Sequence, residues 1–191
     1  MSFIRTKKTK MKNGNELEYA YIVENRRRWK KTRQKSKKYL GRVFRLERKN
    51  LMDFYEFYDI SNISEYMKKN DTKQIILDLV KLELFNYGFK EKGNKWVAND
   101  LIFNVRERKI MNHKGNKVTL ALNDGFMTGY MINKLILFDA DCEEEGYDYA
   151  KMFVETGIAV PSDIFVGLFN KMLEKNQINV ADEGFDDLED E

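Results

Sequence analysis

The sequence predicts an α+β protein: an N-terminal basic three-stranded antiparallel β-module followed by an α+β body with a β-meander and helices. Three observations predict it. Period-two alternation around an Asn13-Gly14 turn marks the first 45 residues as strands. From Leu46 the apolar residues change to helical spacing. Charge segregates near the same boundary: residues 1–50 carry eighteen Lys/Arg and four Asp/Glu, a net of +14, whereas residues 51–191 carry sixteen basic and twenty-seven acidic groups, a net of −11. A basic end on an acidic body is the pattern of a protein with one polyanion-facing surface.

Residues 2–10 (SFIRTKKTK) and 16–28 (ELEYAYIVENRRR) read as strands joined by MKNGN. Leu17, Tyr19, Tyr21 and Val23 share one face of the second strand. Residues 32–39 return as a third strand, with Arg33, Lys35, Lys37 and Tyr39 expected on one face and Gln34, Ser36 and Lys38 on the other. Gly41 allows a bend before Val43-Phe44. Leu51, Phe54, Tyr55 and Tyr58 form a helical stripe, and Ser61–Lys69 a short helix. Asp71 caps a helix carrying Ile75, Ile76, Leu79, Val80 and Leu82, with Gln74 as its capping-box partner and Gly88 as its stop.

Phe89–Asn99 reads as a hairpin turning at Gly93-Asn94. Residues 101–111 and 117–122 are expected to pair across HKGN. Asn123-Asp124-Gly125 reads as the cap of a helix carrying Phe126, Met127, Tyr130, Met131, Leu135 and Phe138. An acidic loop, DADCEEEG, leads to a helix over 147–156 stopped by Gly157, and Pro161 starts a last helix through Lys175. The resulting division is 1–45 as the basic module, 46–178 as the body and 179–191 as an acidic, disordered tail, whose final ten residues hold seven acids.

Composition narrows the function classes. No run of eighteen apolar residues exists, so no helical membrane span is expected. MSFIRTKKTK lacks the apolar stretch of a secretory signal. The lone Cys142 excludes an internal disulfide and points to a reducing, cytoplasmic setting.

YAYIVEN (19–25), a basic turn and TRQKSKKYLGR (32–42) resemble the N-terminal β-hairpin region that precedes the catalytic core in some insertion-sequence transposases of the DDE type. They also resemble the opening of an uncharacterised archaeal protein family of about this length. ALNDGFMTGYMINKLILF (121–138) and FVETGIAVPSDIFVGLF (153–169) are similar to the archaeal group alone. The transposase resemblance covers about the first quarter of the chain and implies nucleic-acid contact by a β-hairpin module. No acids of this chain align with a three-carboxylate core, so strand transfer does not carry over.

The run RRRWKKTRQKSKKYLGR (26–42) has ten Lys/Arg and no acid in seventeen positions. Arg26, Arg27, Arg28, Lys30, Lys31, Arg33, Lys35, Lys37, Lys38 and Arg42 are the candidate phosphate ligands, and Trp29, in the turn, the candidate base-stacker. Tyr19 and Tyr21 read as lining of a small core, since they share a face with Leu17 and Val23. A winged-helix reading of 50–112 has the right element order but few exposed groove-reading side chains on its third helix, only Lys73, Gln74 and Lys81.

Catalytic and metal signals are thin. Asp100 with Glu107-Arg108-Lys109 has the residue types of a metal-dependent nuclease, but one continuous strand would separate Asp100 from Glu107 by about 23 Å. DADCEEEGYDYA matches a calcium loop at Asp139, Asp141 and Glu143 but ends in Ala150, where a bidentate Glu is needed. His113 and Cys142 lack partners for zinc, and no nucleophile, phosphate-loop or dinucleotide motif occurs. No cofactor is expected. The reading is a non-catalytic DNA- or RNA-binding protein whose acidic tail, with Phe185 and Leu188 as apolar anchors, modulates binding. The alternatives are an assembly factor whose body binds protein beside a nucleoprotein such as the ribosome, and, more weakly, a metal-dependent nuclease.

Overall fold

A computed structural model of the chain describes residues 2–28 and 31–183. The fold is α+β, with two antiparallel-rich sheets and six α-helices among the described residues. Strands β1 (Ser2–Lys10), β2 (Glu16–Arg28) and β3 (Lys31–Arg45) form the expected antiparallel meander. The first turn closes where Met11 accepts from Gly14, whose φ of 83° suits glycine.

Two β-bulges interrupt the pairing of β2 with β3. Ala20 pairs with Gly41 but Tyr21 with Tyr39, and Ile22 pairs with Lys38 but Val23 with Ser36, so Leu40 and Lys37 are unmatched. Each bulge resets which residues share a face. Tyr39 therefore lies with Gln34 and Ser36, not with Lys35 as strict alternation predicts. The small core is also on the other side from the one expected. Ala20, Ile22, Leu40 and Val43 are buried together, with Ile4, Ala121 and Phe126 against them, and the tyrosines line the opposite face.

Gly41 does not bend the chain away. β3 runs through it, and Arg42–Arg45 pair in parallel with Val118–Ala121 of β8 (Val118–Leu122). Gly41 has φ 125°, and a Cβ there would lie 2.4 Å from the Lys117 carbonyl oxygen. Only glycine lets the two backbones approach this closely. The hairpin and the body thus share one five-stranded sheet, in the order β1-β2-β3-β8-β9, where β9 is Gly125–Met127.

Between β3 and β8 lie three helices and a separate four-stranded meander. Helix α1 is only Phe54–Tyr58, capped by Asp53, and Leu51 of the expected stripe is 86% exposed. Helix α2 (Ile63–Lys69) is capped by Asn62. Helix α3 (Thr72–Asn86) starts at Asp71, whose side chain accepts from the Gln74 N–H. Gln74 does not close a capping box; its side-chain amide donates to Asp78. Ile75–Val80 are all buried, so α3 is the central helix of the body and has no face to lay in a nucleic-acid groove, against the winged-helix reading.

The meander is β4 (Lys90–Lys92), β5 (Lys95–Ala98), β6 (Leu101–Asn104) and β7 (Lys109–Asn112). A turn over 105–108 folds what the sequence suggested was one strand into the β6–β7 hairpin, with Asn104 opposite Lys109. β8 consequently pairs with β3 and β9, and an isolated Met111–Lys117 bridge just before β8 joins this chain segment to β7. Asn123-Asp124 turns the β8–β9 hairpin and caps no helix; Asn123 takes φ 48°. Helix α4 (Gly129–Ile136) starts later, with Thr128 accepting from the Met131 N–H.

Helix α5 (Gly146–Thr156) stops at the left-handed Gly157, as expected. Helix α6 (Ser162–Glu183) follows Pro161 and runs past Lys175, into the stretch assigned to the tail. Residues 184–191 lie outside the described residues. One continuous apolar core, from Phe54 to Met172, joins the helices to the meander and to Val118, Leu120, Leu122 and Met127 of the larger sheet. Inside it two carboxylates are satisfied. Asp78 accepts from Tyr66, Gln74 and Lys81, and Glu83 accepts from the Ala159 N–H and Arg48.

Candidate nucleic-acid interface

The register of β2 and β3 fixes where the basic run lies. Arg26 pairs with Arg33, Arg27 with Thr32 and Arg28 with Lys31. Two of these three pairs match a basic residue with a basic residue in the register, and like charges at directly paired positions are disfavoured in a sheet. Trp29 and Lys30 lie outside the described residues. The basic strand ends therefore converge by backbone pairing, and not merely by closeness in sequence.

The other four candidates are dispersed. Lys35 pairs opposite Glu24, and the bulged Lys37 places its Nζ 3.0 Å from the Glu24 carboxylate. Lys38 lies with its Nζ 4.2 Å from the centre of the Tyr130 ring, and Arg42 covers the Phe44 ring at 4.8 Å. All four are exposed, but they do not share one face. Lower down, Arg45 donates two hydrogen bonds, of 3.0 and 2.9 Å, to the Glu18 carboxylate. That paired contact holds the Glu18 carboxyl below its ordinary range.

The face opposite the small core adds residues that the run did not indicate. Directly paired residues share a face, so Arg5 and Lys7 of β1 lie with Tyr21 and Tyr19 of β2, and these with Tyr39 and Arg42 of β3. The Tyr39 ring lies 5.4 Å from Tyr21 and 6.2 Å from Tyr19, and it is 45% exposed. Burial raises the Tyr39 phenol above its ordinary value, the two neighbouring tyrosines adding to the effect, so it stays a neutral donor. Arg5 donates to the Gln34 side chain across a shallow concavity of about 570 Å³, walled by Lys7, Tyr21, Val23 and Ser36. The signal for Arg5 and Lys7 was the alternation of β1, once β1 is set in register with β2.

A second concavity, of about 1220 Å³, opens where β3 parts from β8, between Lys38–Leu40, the β6–β7 hairpin and α4. Its wall is built by a close approach. Arg108 sits at φ 51°, and a Cβ on Gly129 would lie 2.1 Å from the Arg108 carbonyl oxygen. The Arg108 guanidinium also donates to the Asn133 side chain at 2.5 Å. The hairpin turn is thereby pinned to the first turn of α4. Lys109, Lys117 and Lys134 line the same groove, and the 38%-exposed Tyr130 lies on its α4 side. No local sequence feature could bring these segments together.

The acids of the nuclease reading are not assembled. Asp100 and Glu107 sit at opposite ends of the β6–β7 hairpin; Asp100 faces His113 at 3.5 Å, and Glu107 pairs with Lys109 at 2.9 Å. In the acidic loop, the Glu145 carboxylate caps the Asp141 N–H. Among the described residues no group of three or more His, Cys, Asp or Glu side chains is placed to hold a metal ion. No described helix is long and apolar enough to cross a membrane. In comparisons with protein-family models, curated proteins and solved structures, none matched this chain.

Proposed function

We propose that the protein binds DNA or RNA without acting on it chemically, using its N-terminal hairpin as the contact surface. The observation that carries this reading is the register of the basic strand ends. Arg26 pairs with Arg33 and Arg28 with Lys31, and like charges at directly paired positions carry a cost in a sheet without an anion. A polyanion laid along the hairpin turns that cost into attraction and releases condensed counterions. The Arg5, Lys7 and tyrosine face beside it supplies further cations and π-surfaces.

The test is equilibrium binding of the full chain to duplex DNA and to RNA over a range of salt concentrations. With about five to eight phosphate contacts, log affinity on duplex DNA falls with log salt at a slope of about −4.5 to −7. Arg26→Thr/Arg33→Thr reduces the steepness of that slope by about two and weakens binding at low salt at least tenfold. Retained affinity in this variant, or no binding by the wild-type chain at low salt, overturns the reading.

A further inference from the structure

The groove at the foot of the hairpin is not absorbed by phosphate contacts along the strands. It is walled by three separate segments, and its charges are uneven: Arg108, Lys109, Lys117, Lys134 and Lys38 against Glu107 and Asp139. Glu107 is held by Lys109 at 2.9 Å, while Lys117 and Lys134 make no ion pair among the described residues. Tyr130 brings a partly exposed ring to this space.

We infer that this groove receives a single-stranded segment of nucleic acid, its backbone on Lys117 and Lys134 and an unstacked base against Tyr130. The inference rests on the nucleic-acid reading above and adds strand preference to it. Three features favour a single strand over a duplex. At about 1220 Å³ the groove is only slightly larger than a small-molecule site, too small to seat a double helix. A tyrosine ring such as Tyr130 in a concave wall gains from a base only when that base is unstacked and turned outward. Lys38 already covers the Tyr130 ring at 4.2 Å, and an arriving phosphate can draw its ammonium aside, exposing the ring to a base. The hairpin then grips backbone of either form, while the groove selects a single strand or a single-stranded extension.

The test is anisotropy of a labelled twelve-nucleotide single strand and of a duplex of matching length, with the full chain and with Lys134→Glu and Tyr130→Ala. Both variants are expected to lose about tenfold or more on the single strand and to stay within about twofold of wild type on the duplex. Equal losses on both ligands, or none on the single strand, overturn the inference while leaving the hairpin reading intact. Absence of binding to either ligand by the wild-type chain overturns both. Because a variant could misfold, photocrosslinking of a thiouridine-bearing strand to wild-type protein gives a second readout. Adducts on the peptide holding Tyr130 are expected. Adducts confined to β1, β2 and β3, with none at Tyr130, would place the strand elsewhere and overturn the inference. Carbodiimide coupling of Lys117 or Lys134 to the acidic tail in oligonucleotide-saturated protein would assign the groove to the chain's own acids, with the same result.

Discussion

The outer hairpin and the body spend their sequence differently. The body buries one continuous apolar core from Phe54 to Met172, and its two interior carboxylates, Asp78 and Glu83, are both given donors. Among its described residues the hairpin buries one small cluster, Ala20, Ile22, Leu40 and Val43, and its far-end register pairs basic residue with basic residue. A segment with so little core is held by what it is joined to, here β8, along Arg42–Arg45. The difference teaches that stability resides in the body, and the proposed function puts recognition in the hairpin, with Gly41 at the junction. Surfaces that bind are drawn from the less stable parts of a fold.

The first way to break that comparison is to empty the body core. Phe103 is fully buried, and Phe103→Ala is expected to cost about 3–5 kcal/mol in urea-induced unfolding. Ile22→Ala in the hairpin should cost about 2 kcal/mol, at the low end for a buried isoleucine, because its small cluster can collapse. A larger loss from Ile22→Ala would place the centre of stability in the hairpin.

A smaller effect is expected at the junction. Gly41→Ala puts a Cβ 2.4 Å from the Lys117 carbonyl oxygen at φ 125°, so the β3–β8 pairing must open or shift. The expected cost is about 1–3 kcal/mol, read as faster amide exchange across Val43–Arg45 and 118–121, with α3 unaffected. Unchanged exchange in those strands would mean that the close approach is not needed.

The smallest effect is on pH dependence, where the two regions differ in sign. The Glu18 carboxyl is held low, first by its hydrogen bonds from Arg45. Its contribution is therefore present above the ordinary value of 4.5 and is lost as pH falls through the lowered one. The Glu83 carboxyl is raised, first by burial, against the opposing Ala159 N–H and Arg48. Its contribution is full below 4.5 and is lost as pH rises through the raised value. Thermal melts from pH 3.5 to pH 7 should show Glu18→Gln losing less stability than wild type on acidification, and Glu83→Gln losing less on the return to neutrality. Profiles parallel to wild type in both variants would contradict these assignments.

Much of this was legible in local sequence. Asn13-Gly14 and Gly93-Asn94 marked their turns, Asp71 and Gly157 marked helix ends, and the charge boundary lay at the end of β3. The misreadings have physical causes. Val105-Arg106-Glu107-Arg108 turns without glycine or proline, because Arg108 itself takes the left-handed conformation that glycine usually signals. Asn123-Asp124-Gly125 suits a helix cap and a hairpin turn equally, and the partner strand Gly125–Met127 decides between them. The bulges at Lys37 and Leu40 shift the face of Tyr39, and strict alternation cannot show an inserted residue. Pairing of β3 with β8 joins residues far apart in the chain, as does the groove that pairing helps to shape. The cationic run was visible from the first; its like-charged register was not.

Amide hydrogen exchange of the full chain, with and without a saturating oligonucleotide at low salt, tests the central claim most directly. Slower exchange across residues 20–28 and 31–40 on binding, with no change in α3, is the result expected of a hairpin that grips nucleic acid while the body holds it in place. Protection confined to the body, with the hairpin strands exchanging as before, would contradict it.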